Sequence, residues 1–269
     1  MKIISKKKEL RRILYGQKNL GFVPTMGAIH EAHISIINKC NELCSKSIVS
    51  IFVNKPQFNR KTDFDKYPRI LKRDMLILKK YKVDYLYLPT AKQIYPNGPN
   101  KKIKINHLKK RLCGKFRPGH FEAVVDVIDK FIKIIEPAKI FLGEKDMQQL
   151  KIIKSFIREN KINTKVISCK IVREKSGIPY SSRNLLLSSK EKLIASKIYR
   201  LLVTQKRNLI RQKITLNKIK NKILSLGSIK IDYLEVLDIN KLTKPFKKTK
   251  KYKIFIAYYL GTIRLIDNI

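Results

Sequence analysis

The sequence predicts an α/β protein: a parallel sheet with helices on both faces, followed by a smaller α+β domain. Three observations carry that expectation. Over the first two-thirds, short apolar runs alternate with stretches of helical period, which is how βαβ units read. Near residue 173 the alternation stops, and a long helix and two longer strand-like runs follow. The chain has 269 residues, 43% of them hydrophobic, with ten Pro and ten Gly, a globular composition with ample material for a core.

Taken in order, "LGFVPT" (20–25) reads as a strand and 31–44 as a helix. "SIVSIFV" (47–53) is the next strand, 67–81 the next helix, and "VDYLYLP" (83–89) a third strand. A Pro/Gly/Asn loop, "YPNGPN" (95–100), precedes "HFEAVVDVIDKFIKIIEP", where Phe121, Val124, Val125, Ile128, Phe131, Ile132 and Ile135 recur at helical spacing until Pro137. "AKIFLG" is then a strand, "DMQQLKIIKSFI" a helix and "KVISCKIVR" (165–173) a strand. In "SSKE" (188–191), Ser188 and Glu191 form a capping box that opens a helix reaching about residue 210. "IDYLEVLD" and "YKIFIAYYL" are the later strands. The expected domains are 1–173 and 174–269.

Composition excludes several classes. No run approaches twenty apolar residues, so no membrane span is expected. The basic start, MKIISKKKELRRIL, lacks the apolar stretch and cleavage site of a secretory signal, so a cytoplasmic protein is expected. Four cysteines show no C-x-x-C spacing. His33 and Cys40 stand seven residues apart, roughly 10 Å along a helix, too far to share a zinc ion whose ligands sit at about 2.0–2.3 Å. The net charge of +41 points to nucleic acid, but 47 of the 61 basic residues are Lys and none form a dense tract, which argues for a solvated lysine surface instead.

Two strand-to-helix turns carry the candidate chemistry, "PTMGAIHEAH" through Gly27 and "FLGEKD" through Gly143. Ligands of open α/β sheets bind at the carboxyl ends of strands, glycine permits close backbone approach, and a helix N-terminus favours phosphate. Lys145 and His33 would face the same crevice, one as a mobile donor and the other as a fixed one. "YSSRN" (180–184) and "RPGH" (117–120) add polar groups that are ordinary in loops taken singly.

Together the blocks are specific. "VPTMGAIHEAH", "VSIFVNKPQF", "DKYPRIL", "IYPNG", "LCGKFRPGHF", "FLGEKDMQQL", "VREKSGIPYSSRN" and "YLGTIRLIDN" run in order along the chain, which resembles the pantoate–β-alanine ligases of the nucleotidyltransferase superfamily. The resemblance implies a Rossmann-like first domain, a smaller closing domain and a homodimer. It also implies a two-step reaction with ATP and Mg²⁺, in which pantoate is adenylated and β-alanine then displaces AMP.

Under that resemblance, ATP is bound by Met26, Gly27, Ala28, Ile29, His30, Glu31, Ala32 and His33. The second wall is Gly143, Glu144, Lys145 and Asp146, and Val172, Tyr180, Ser181, Ser182 and Arg183 complete the pocket. His30, His33, Lys145, Ser181, Ser182 and Arg183 are the catalytic set, with His33 in the place of the family's proton donor. Gln57 and Gln149 bind pantoate, Gln57 also faces β-alanine, Arg117 supports that site, and Asp146 is a candidate for Mg²⁺ brought in with ATP. The alternatives are a different nucleotidyltransferase, or a nucleic-acid-binding protein on a decayed synthetase scaffold.

The chain departs from the family pattern in places. Ala32 replaces the glycine of H-x-G-H and is expected to crowd the nucleotide. Glu122 and Ala123 replace Arg-Gly, Phe116 a small polar residue, and Tyr180 a Met or Leu. Lys55 and Pro56 shift the proline before Gln57, which is expected to alter how that amide is presented.

Overall fold

The computed structural model describes residues 1–211, 213–240, 242–243 and 251–269. It divides into two compact units, Met1–Ile171 and Val172–Ile269. The first contains, in order, β1 (Lys2–Ile4), α1 (Lys7–Leu14), β2 (Leu20–Thr25), α2 (Glu31–Leu43), β3 (Lys46–Ile51), α3 (Lys61–Asp65) and α4 (Leu71–Lys80). It continues with β4 (Tyr85–Tyr87), α5 (Ala91–Ile94), α6 (Leu112–Phe116), α7 (His120–Ile135), β5 (Lys139–Gly143), α8 (Met147–Glu159) and β6 (Lys165–Cys169).

The six strands form one sheet in the order β1-β4-β3-β2-β5-β6, every pair parallel. Its strands are mainly apolar because both faces are covered, as parallel sheets require, although Ser47 and Ser50 of β3 are buried as well. Val23, Val49, Leu86 and Phe141 pack on one face with Ile37 and Cys40 of α2 and Leu78 of α4. The neighbouring Phe22 points to the opposite face, where its ring meets Phe131 of α7 at 5.4 Å and Tyr87 meets the same ring at 6.2 Å. Burying a side chain such as Phe131 stabilises by about 1.5–3 kcal/mol, so α7 is held mainly by its apolar stripe.

Some sequence expectations change. The basic N-terminal run forms β1 and α1, with Ile4 and Leu10 fully buried. Periodicity does not reveal a three-residue edge strand. "VDYLYLP" yields only Tyr85–Tyr87, the three residues that pair with both β1 and β3. "KVISCKIVR" ends as a strand at Cys169, where β5 stops pairing with it.

The site is placed by β2, which lies between β3 and β5. The chain leaves β2 towards one neighbour and returns on its other side, so the carboxyl ends of β2 and β5 flank a topological switch point, where open α/β sheets hold ligands.

The second unit contains α9 (Ser189–Ile210), α10 (Leu216–Ser225) and an antiparallel sheet β7-β8-β9 (Lys230–Asp238, Tyr252–Leu260 and Ile263–Asn268). Ser188 and Glu191 form the full capping box at the start of α9. Ala195, Ile198 and Leu202 of α9 pack with Leu234, Val236, Ile254 and Ile256 of the sheet. Arg173, next to the unit's first residue, grips Asp267 of β9 in a bidentate pair at 2.8 and 2.9 Å.

Candidate functional site

The turn after β2 is built by hydrogen bonds that the sequence does not announce. Thr25 Oγ1 donates to Ser50 O at 2.7 Å and accepts from the Gly27 amide at 3.1 Å, starting the bend. Gly27 (φ 82°) and Ala28 (φ 51°) are both left-handed in succession. Glycine accepts this freely, whereas for alanine such a conformation costs on the order of 1 kcal/mol. A Cβ at Gly27 would come within 3.0 Å of Asp74 Oδ2 and 3.1 Å of Ile51 Cγ2, so the position is closed sterically as well.

Asp74, 1% exposed in the first turn of α4, takes the next two amides: Oδ2 accepts from Ala28 N and Oδ1 from Ile29 N, each at 2.8 Å. Burial raises its pKa, while the two amides oppose the rise. The Ala28 and Ile29 amides of this turn are thus engaged by a carboxylate.

His30 then adopts an extended backbone (φ −144°) and α2 begins at Glu31. Ala32 lies inside the first turn of that helix and is not among the left-handed residues, so its backbone does not demand glycine. The His30 and His33 rings stack at 3.9 Å, 21° from parallel. Burial, then the Lys145 charge, lowers the pKa of His30 from 6.5 to about 4. Burial, then His30 and Lys145, lowers His33 well below 6.5. Both rings are therefore neutral near pH 7 and offer N–H donors rather than full charges. His33 Nδ1 is buried without a hydrogen-bond partner among the described residues.

The turn after β5 is of a different kind. Gly143 has an ordinary extended backbone (φ −76°), and a Cβ there would meet only Ile36 Cδ1 at 3.6 Å. The backbone here does not itself require glycine. Glu144, Lys145 and Asp146 form a single 3₁₀ turn before α8. Lys145, its side chain 19% exposed, stands 4.0 Å from Asp146, whose carboxylate is about half exposed. The positive charge of Lys145 is a lesser cause, after burial, of the lowered pKa of both imidazoles.

Gln57 is braced from several sides. Its Nε2 donates to Met26 Sδ at 3.1 Å, linking it to the first turn, and Asn54 Nδ2 donates to its Oε1 at 3.1 Å. Asn54, 1% exposed, accepts from Tyr95 OH at 2.7 Å. Arg117 donates to Gln57 O at 3.0 Å and approaches His120 Nε2 at the same distance. A guanidinium only donates, so Nε2 accepts and the imidazole proton sits on Nδ1, which donates to Gln57 O at 2.9 Å. Pro56 is accommodated in the 3₁₀ turn Lys55–Gln57. Ala123 contributes only its carbonyl, which accepts from Asn54, and Glu122 pairs with Lys109 at 2.8 Å. Phe116 is 38% exposed.

Gln149 is half-buried. Its neighbour Gln148 is buried and spent on the backbone, donating to Leu108 O and Arg111 O and accepting from Cys113 N. Val172, Tyr180, Ser181, Ser182 and Arg183 belong to the second unit. There the Tyr180 amide donates to Val172 O, and Ser181 Oγ caps the turn Ser182–Leu186 by accepting from Arg183 N at 3.3 Å. Among the described residues, no three His, Cys, Asp or Glu side chains come together to hold a metal ion.

Sequence reading did not single out Asp74, Asn54, Tyr95 and His120 as functional. Asn54, Tyr95 and His120 lie within the motif blocks quoted above, where an interior polar residue was the available signal, and Asp74 follows "DKYPRIL" by three residues.

Comparison with known proteins shows the family. The family model described as pantoate-beta-alanine ligase matches residues 2–269. A pantothenate synthetase of Pseudothermotoga lettingae is 38% identical over 278 residues, covering 100% of this chain and 97% of the relative. One from Sulfurihydrogenibium sp. is 40% identical over 94% of this chain and 92% of its own. The crystal structure of a Francisella tularensis pantoate-beta-alanine ligase, complexed with beta-gamma ATP and beta-alanine, superposes with a TM-score of 0.88 at 39% identity, covering 100% and 97% of the two chains. The pantothenate synthetase of Thermus thermophilus gives 0.91 at 29% identity, covering 100% and 99%.

Proposed function

This chain belongs to the pantoate–β-alanine ligase family, and from that premise we propose that it condenses pantoate with β-alanine at the expense of ATP, releasing AMP and pyrophosphate. The observation that carries the reading is the stacked, neutral His30–His33 pair after β2, with Lys145 following the adjacent parallel strand β5.

Adenylation needs no strong base, because a carboxylate is already ionised and attacks the α-phosphorus directly. What it needs is in-line placement and neutralisation of charge on the phosphate oxygens. We assign the donor roles to His30, His33 and Lys145. Met26 to His33 form one wall of the nucleotide pocket, and Gly143 to Asp146 form the other. Val172, Tyr180, Ser181, Ser182 and Arg183 are assigned further nucleotide contacts, with the two hydroxyls and the guanidinium suited to phosphate oxygens.

Gln57 and Gln149 are assigned to pantoate, whose hydroxyls suit an amide's donor and acceptor, and Arg117 acts by holding Gln57. Mg²⁺ enters with ATP. It keeps several waters and needs one or two carboxylates besides phosphate, which the half-exposed Asp146 fits. The family resemblance supports a homodimer in the cytoplasm, and no described helix is long and apolar enough to cross a membrane. Nucleic acid is not proposed as a main partner.

The test is direct. Purified protein with ATP, Mg²⁺, pantoate and β-alanine should release AMP and pyrophosphate in equal amounts and form pantothenate. Pyrophosphate release that does not depend on pantoate would move the chain to another nucleotidyltransferase activity. Absence of both products would remove the reading.

A further inference from the structure

We infer that Asp74 is the positioning residue of the adenylation site: its buried carboxylate locks the Gly27–Ile29 turn and so sets where His30 meets the nucleotide. The inference rests on the nucleotide reading of residues 26–33 given above.

The geometry separates this role from ordinary packing. Both carboxylate oxygens are used, one on each of two consecutive amides, at 2.8 Å. One amide belongs to Ala28, the second of two consecutive left-handed residues, and the other to Ile29 directly after it; alanine does not hold that conformation unaided. The latch reaches 45 and 46 residues along the chain, from the first turn of α4, and ends one residue short of His30. A side chain at Gly27 would press on the same carboxylate and on Ile51, so the turn is packed closely there. If the turn relaxes, His30 and its stack on His33 shift together, and a displacement near 1 Å costs on the order of a hundredfold in rate.

Asp74→Asn tests this with little change in shape. Asparagine keeps one acceptor, but its NH₂ faces the other amide, donor against donor. Relative to the wild type, and normalised to folded protein by circular dichroism, KM for ATP should rise and kcat should fall, tenfold or more in kcat/KM for ATP. KM for β-alanine should stay within twofold. A residue that only supports folding would lower the folded fraction and leave these constants unchanged.

The second measurement needs no variant: in the wild type, the Ala28 and Ile29 amides should exchange with deuterium at least a hundredfold more slowly than unprotected loop amides. Unchanged ATP constants in folded Asp74→Asn, or fast exchange of both amides, overturns the inference. If the wild type itself neither binds ATP nor releases pyrophosphate, the functional reading fails first and takes this inference with it.

Discussion

Two turns that look alike in the sequence, each a glycine between a strand and a helix, are held in different ways. After β2, the backbone of Gly27 and Ala28 is left-handed, and Asp74 clamps it from α4. After β5, Gly143 is extended and leads into one 3₁₀ turn with space beside it. The first turn is a clamped platform for two imidazoles, whereas the second presents a largely buried lysine. A phosphate site gains from both, since rigid donors define the in-line geometry and a cation offsets charge as it develops.

The contrast can be broken most severely at Gly27. Gly27→Ala forces a side chain into a left-handed position against the Asp74 oxygen and Ile51. We expect a loss of about 2–4 kcal/mol in stability and no measurable ATP turnover, read by urea unfolding and pyrophosphate release. A variant as stable as the wild type would show that the platform is soft.

His33→Ala comes next. Adenylate formation in a single turnover should fall about a hundredfold or more, as when a single transition-state donor is lost, while pantoate binding by calorimetry stays within twofold. Lys145→Ala should fall similarly, and a much smaller effect there would leave the fixed donors with most of the work.

Acidity provides a milder perturbation of the fixed turn. The His30 pKa drops from 6.5 to about 4 on folding, so between those values the unfolded chain holds more protons than the native one. The stability tied to the neutral ring is fully present above pH 6.5, is lost as pH falls towards 4, and levels off below that. His33 shifts in the same direction. Thermal midpoints measured from pH 7.5 to 4 should decline more in the wild type than in His30→Gln, and equal slopes would show that the imidazole is not buried neutral.

The smallest effect belongs to the other turn. Gly143→Ala should fold with stability within about 0.5–1 kcal/mol of the wild type, because the backbone is already in a region that alanine prefers. If its KM for ATP nonetheless rises, the nucleotide lies against that backbone. If it does not, the glycine there is incidental.

These differences show which parts of the molecule were legible in the sequence. The order of the longer strands and helices could be read from periodicity, as could the capping box before α9, because those signals are local. The brief β1 could not, since three residues carry no period. A glycine before a helix gives the same letters whether its φ is 82° or −76°, so Gly27 and Gly143 could not be ranked. Asp74 reads as an ordinary acid in the first turn of a helix until the sheet order brings α4 to the turn after β2. Gln148 and Gln149 are adjacent in sequence, yet only the first is buried against backbone. At Ala32 the helical backbone takes alanine without strain, so the departure from glycine bears on the nucleotide and not on the local fold.

The bidentate clasp between Arg173 and Asp267 has a practical corollary for anyone handling the molecule. It ties the beginning of the second unit to its last strand, and Ile269 also exchanges backbone hydrogen bonds with Ile254. Trimming residues 267–269 would strand a guanidinium and open one edge of a three-stranded sheet, so affinity tags belong beyond this tail and not in its place.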